Sequence, residues 1–166
     1  SGFEAHLTPG PLHRLDGSLA ESGWATSPVR AYERDRLKVP KRRIREWDRY
    51  LVHDDEFAVI LSVADLGHVG FASASVVAFS QAASHTASVV VPLPLGRLGL
   101  PASSDAGATS FESGRASFLF EVGDGFRRLK VRFASFDGND DLAFEAVLDE
   151  EPRDSVVVST LTGEDS

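Results

Sequence analysis

From residue 43 onward apolar and polar positions alternate with a period of two, the pattern of extended strands whose successive side chains point to opposite faces. Over 43–52 this places Ile44, Glu46, Asp48, Tyr50 and Val52 on one face and Arg43, Arg45, Trp47, Arg49 and Leu51 on the other. The polar turn His53-Asp54-Asp55-Glu56 leads into a returning strand over 57–64, and Asp65-Leu66-Gly67-His68 turns into another over 69–80. A strand over 86–93 follows, after which Pro94, Gly96, Gly99 and Pro101 mark a long connection with little regular structure. Further strands are predicted over 115–122 and 126–136, joined by the tight turn Gly123-Asp124-Gly125, then over 142–148 and 156–161. These eight segments lack the apolar 3.6-residue periodicity that crossover helices need, so the class is all-β and antiparallel, a barrel, a sandwich or a strongly curved sheet.

Two departures from simple alternation matter. Before Pro28 there is only turn chemistry (Pro9-Gly10-Pro11, Asp16-Gly17, Glu21-Ser22-Gly23), and Pro40 limits any helix in the Arg-rich stretch 29–38. Residues 1–42 are therefore expected to form an irregular arm packed on a β domain over 43–166. Within that domain, 57–64, 69–80 and 86–93 carry apolar or small side chains on both faces. Such strands need cover on both sides, from the arm, a second domain or a homo-oligomer.

Charge and composition exclude several classes. The 166 residues are 42% hydrophobic and 25% charged, with no cysteine, no methionine and a formal charge of −8. No run of about 18 apolar residues predicts a transmembrane segment, and no N-terminal stretch resembles a signal peptide. The absence of cysteine removes disulfides, thiolate nucleophiles and cysteine-bound zinc, and is compatible with a reducing cytoplasm, the expected location. The opening Ser1-Gly2, without an initiator methionine, is expected of a trimmed product. Residues 30–49 hold nine bases against four acids, whereas 50–166 hold seven bases against eighteen acids. So acidic a body argues against a nucleic-acid partner, and the basic segment reads as an arm lying against the protein's own acidic surface, with contact of Lys41-Arg42-Arg43 to an acidic lipid headgroup or a phosphate as the alternative.

Candidate chemistry is sparse. Glu46 and Asp48 are carboxylates two residues apart on one strand face with Tyr50 beside them, an arrangement suited to acid/base work, and Asp65 is a third candidate catalytic residue. The competing reading pairs these carboxylates with arginines as structural partners. Trp24, Tyr32, Trp47 and Tyr50 are candidate ligand-binding residues, with packing anchors as the alternative for the two indoles. His53 and His68 lie at successive turns separated by a strand, too far apart to share a metal, and neither a metal nor a cofactor is expected.

Several segments resemble, in order, the N-terminal half of a mainly bacterial family known as domain of unknown function 2804. They are Gly10-Pro11-Leu12, Asp16-Gly17-Ser18-Leu19, Gly23-Trp24-Ala25, Pro28, Tyr32, Arg43-Ile44-Arg45-Glu46-Trp47-Asp48-Arg49-Tyr50 and Asp65-Leu66-Gly67-His68-Val69-Gly70. The Glu-Trp-Asp-x-Tyr run is the most specific, the match is best over residues 10–80, and His68 stands where an aromatic is expected. That family is similar to two-barrel, lipocalin-like proteins, including carotenoid hydratases and AttH-like domains. The resemblance therefore implies a lipocalin-like barrel that forms one half of a larger two-barrel protein. The expected function is binding of an apolar or lipid-like small molecule. Two alternatives remain open, an acid/base hydratase or isomerase acting on such a molecule and an interaction module using the two-sided apolar sheet.

Overall fold

The computed structural model describes residues 5–149 and 156–159. Twelve strands lie in these residues: β1 (Gly10–Pro11), β2 (Gly23–Ala25), β3 (Arg30–Ala31), β4 (Glu46–His53), β5 (Phe57–Asp65), β6 (Val69–Ala78), β7 (Ala83–Pro92), β8 (Gly107–Glu112), β9 (Ala116–Gly123), β10 (Phe126–Asp137), β11 (Asp140–Asp149) and β12 (Val157–Ser159). The long strands form two antiparallel meanders, β4-β5-β6-β7 and β11-β10-β9-β8.

The all-β antiparallel class is as expected; among the described residues no ladder joins one sheet to the other, so of the expected barrel or curved sheet the closed barrel is not formed and the fold is an open stack of two sheets, consistent with the curved-sheet alternative. The connection after β7 accounts for this. β7 ends at Pro92, which has no N–H to continue a ladder, and Leu93 and Leu95 follow with φ of 47° and 53°, bending the chain away from the sheet edge. The chain then crosses to the facing sheet, where β8 begins.

The inner faces of the two sheets are complementary in size. The first contributes Leu61, Val63, Ala72, Ala74 and Ala87; the second contributes Phe111, Phe118, Phe120, Leu129, Val131, Phe133 and Phe136. Phe118 lies at the centre, edge-on to Phe111, Phe120 and Phe133 with ring centroids 6.2, 6.1 and 6.3 Å away. Small residues on one sheet thus make room for rings from the other, which explains the strands that looked two-sided in sequence. Their inner side is covered by the phenylalanine sheet. The other side carries Ser62, Ser73, Ser75 and Ser88 among its apolar residues and stays partly open, with Trp47, Leu51 and Val90 exposed.

Two elements differ from the sequence expectation. β8 lies in what read as irregular connection, because only Thr109 and Phe111 of its six residues carry an inward pattern amid Gly, Ala and Ser. The arm is likewise more regular than expected. β1 pairs in parallel with β3, β2 pairs antiparallel with β12, and two single turns of 3-10 helix occupy Arg34–Arg36 and Lys41–Arg43. Glu21 ties the arm together, accepting hydrogen bonds from Thr8 N (2.9 Å), Thr8 Oγ1 (3.0 Å) and the Arg30 guanidinium, while Ser159 Oγ donates to its carbonyl at 3.0 Å. The last predicted strand is described only over 156–159; the rest of it lies outside the described residues.

Candidate functional site

A cleft of about 320 Å3 opens between the first half of β4, the start of β8 and the 100–104 loop. The inward face of β4 supplies Glu46, Asp48 and Tyr50, as alternation dictates, and β9 supplies Phe120 and Val122. Leu100, Pro101 and Ala102 add apolar lining and Ser103, Ser104, Thr109, Tyr32 and Arg45 polar lining, so the cleft is more apolar than polar, with the carboxylates along β4.

The three β4 side chains have different surroundings. Both carboxylate oxygens of Glu46 are engaged, Oε1 by the Tyr32 hydroxyl and Oε2 by Arg34 Nη1, both donated from the arm. Glu46 is therefore the anchor that fixes the arm to the sheet, the structural role weighed against catalysis above. Burial pushes the Tyr32 phenol up from its ordinary pKa, with the Arg34 charge opposing the shift.

Asp48 is held on one side only. Its Oδ2 accepts a 2.7 Å hydrogen bond from Thr109 Oγ1, and Thr109 is fully buried on β8. Among the described residues Oδ1 has no hydrogen-bond partner, and the side chain lines the cleft. Tyr50 lies two residues on, packed edge-on against Phe120 at 5.0 Å, with its hydroxyl accepting from Arg127 Nη1 at 3.1 Å and the Arg127 guanidinium 5.9 Å from its ring.

Asp65 lies outside this cleft. It is fully buried at the end of β5, where Oδ1 accepts from Gly67 N at 3.0 Å and Oδ2 from Gly96 N at 2.7 Å. Both glycines need their identity, with φ of 78° and 91°. A Cβ on Gly96 would stand 2.6 Å from Arg34 Cζ. Asp65 thus fastens the β5–β6 turn to the loop after β7. Of the aromatic candidates, Tyr32, Trp47 and Tyr50 line the cleft, whereas Trp24 sits in the β2–β12 ribbon edge-on to His6 at 4.9 Å. Sequence reasoning missed Thr109, Phe120, Arg127 and the 100–104 wall, which carry no motif and are brought in by sheet stacking.

Among the described residues no group of three or more His, Asp or Glu side chains converges as a metal site, and no helix is long and apolar enough to cross a membrane. No curated protein and no solved structure matches the chain. A family model does match, over residues 4–165, well beyond the 10–80 segment that carries the resemblance in sequence. The chain therefore belongs to the family described as Domain of unknown function (DUF2804).

Proposed function

We propose that this domain binds an apolar small molecule carrying one hydrogen-bond-donating group, with its apolar body against Leu100, Pro101, Phe120 and Val122 and its polar group at Asp48. The observation that carries this reading is the carboxylate of Asp48, oriented by Thr109 through one oxygen, with no hydrogen-bond partner among the described residues on the other, at the wall of a cleft whose lining is more apolar than polar. Such a pairing of apolar wall and few polar groups is the usual composition of a small-ligand site, and about 320 Å3 lies at the small end of the range for one. This favours a compact ligand over a long acyl chain.

The experiment compares 2-naphthol, which can donate to Asp48, with naphthalene, which cannot, by equilibrium dialysis and thermal shift. Saturable binding of 2-naphthol that is about tenfold tighter than that of naphthalene, and loses this preference in Asp48→Ala, supports the reading. Absence of saturable binding of both compounds removes it.

A second reading has its own support. A carboxylate oriented by a buried hydroxyl at the wall of a cleft, its second oxygen without a hydrogen-bond partner among the described residues, has the arrangement of a positioned general base. On that reading Asp48, rather than Glu46 or Asp65, is the base for hydration or isomerisation of the bound molecule. Turnover of a bound ligand that disappears in Asp48→Asn, with the melting temperature retained, would establish it.

A further inference from the structure

Among the described residues the ion pairs of the basic segment lie mostly within the arm itself. Among the described residues Arg30 pairs with Glu21 and Arg36 with Glu33, both within the arm, and Arg34 alone reaches the sheet, at Glu46. Lys41, Arg42, Arg43, Arg45 and Arg49 are exposed and make no side-chain hydrogen bond or ion pair among those residues. Lys41, Arg42, Arg43 and Arg45 lie at the end of the first sheet where β4 begins, and Arg49 follows midway along that strand. The Arg42 backbone packs on Gly67 in the β5–β6 turn, and Arg45 and Arg49 flank Trp47 on the outward side of β4.

The same end exposes apolar side chains. Cross-strand pairing runs Trp47, Ala64, Phe71, Val90 across the outer face, one row from the turn, and Trp47 is 64% and Val90 62% exposed. Leu93, 56% exposed, is fixed beside that turn by its N–H donating to His68 O at 3.1 Å. Exposed Trp47, Val90 and Leu93, with buried Ala64 and half-buried Phe71 between Trp47 and Val90 in the row, are edged by cations unpaired among the described residues, the composition of a surface that rests on lipid, the exposed apolar side chains entering the interface and the cations meeting anionic headgroups.

We propose that this end of the first sheet, formed by Trp47, Val90 and Leu93 with Lys41, Arg42, Arg43, Arg45 and Arg49, docks on an anionic membrane surface. Charge decides against other occupants. A second copy apposed through the same face would bring two sets of five unpaired cations together, and a covering domain would bury them without anions unless it supplied a matching acidic face. A nucleic acid would use the cations but leave the apolar row in water. The acidic body does not prevent docking, because charges beyond about 8 Å from the lipid are screened at physiological salt. Docking stands apart from the ligand reading above, although Arg45 and Trp47 also line the cleft and would set its mouth beside the lipid.

The test is flotation of the chain with vesicles of phosphatidylcholine alone and of equimolar phosphatidylcholine and phosphatidylserine, with no small ligand present. Binding to the phosphatidylserine vesicles alone, weakened by salt and about a hundredfold weaker in the triple variant Lys41→Ser, Arg42→Ser, Arg43→Ser, is the expected result. Trp47→Ser should weaken binding too, and in Trp24→Phe the emission of Trp47 should shift to the blue on docking. Circular dichroism confirms that each variant is folded, and the triple variant, altered only at exposed side chains, is the one read if Trp24→Phe is not. Failure to bind phosphatidylserine vesicles, equal binding to both vesicle types, or full binding by the triple variant overturns the proposal. So does retention of DNA, or a concentration-dependent dimer in sedimentation, without vesicle binding. The naphthol experiment is done in solution, so either proposal can fail while the other stands.

Discussion

Thr109 Oγ1 donates to Asp48 Oδ2 at 2.7 Å, a hydrogen bond across 61 residues that links the edge strand of one sheet to the edge strand of the other. Because Thr109 is fully buried, its hydroxyl has no water to fall back on, and Asp48 is held in one orientation as a result. Thr109→Val should therefore cost about 1–3 kcal/mol in chemical denaturation. It should also weaken 2-naphthol binding, since Asp48 would lose its orientation. A double-mutant cycle with Asp48→Ala measures the coupling, and a coupling near zero would mean that Thr109 orients nothing.

Asp65 should behave as a structural residue. Its two oxygens satisfy the Gly67 and Gly96 amides, so Asp65→Ala strands two backbone donors near the turn and should lower stability by about 3 kcal/mol or more. Asp65→Asn keeps one acceptor oxygen and should cost less. Denaturant midpoints of the two variants check this order, and naphthol binding by folded Asp65→Asn should match that of the unaltered chain.

Phe118 lies at the meeting point of the small and large inner faces, 1% exposed. Phe118→Ala should cost about 3–5 kcal/mol, because the facing alanines are too short to fill the space. Phe118→Leu should cost less. An urea titration with unchanged slope distinguishes lost stability from a change in the unfolded state.

Tyr32 should titrate later than a free tyrosine. Its phenol is raised by burial, so the folded chain holds that proton more tightly than the unfolded chain does. The associated stability is fully present below about pH 10, the unfolded value, and is lost as pH rises through the higher folded value. Phenolate absorbance should show a late transition that is absent in Tyr32→Phe, and that variant should show a shallower alkaline loss of stability.

His13 contributes at the other end of the pH range. Burial lowers its pKa, so the unfolded chain protonates first, and the contribution present above about pH 6.5 is lost as pH falls through the lower folded value. Melting temperatures of His13→Gln and the unaltered chain should converge on acidification, and a constant gap would assign the acid sensitivity elsewhere.

Much of the fold is legible in residue order because a strand's two faces are set by a local rule. The period-two pattern of 43–52 puts Glu46, Asp48 and Tyr50 on one side and Trp47 and Leu51 on the other, and the burial of β4 follows it. β5, β6, β7, β9, β10 and β11 begin or end within three residues of their predicted bounds, since Gly, Asp and Pro turns delimit them. β8 was not legible: its Gly, Ala and Ser residues have weak strand preference, and it is a strand because β9 offers it a ladder. Open stacking in place of barrel closure is likewise a long-range outcome, decided by how the chain leaves Pro92.

Sequence alone determined the class, the meander and which β4 side chains share a face, because each depends on neighbours a few residues apart. It could not separate three similar carboxylates. Glu46 is consumed by Tyr32 and Arg34, Asp65 by the amides of Gly67 and Gly96, and Asp48 is held by Thr109 through one oxygen, the other having no hydrogen-bond partner among the described residues. Only the tertiary structure decided those partners, because a carboxylate's chemistry is set by the donors that reach it in space, and the donors to Asp48 and to Oδ2 of Asp65 lie 61 and 31 residues away along the chain.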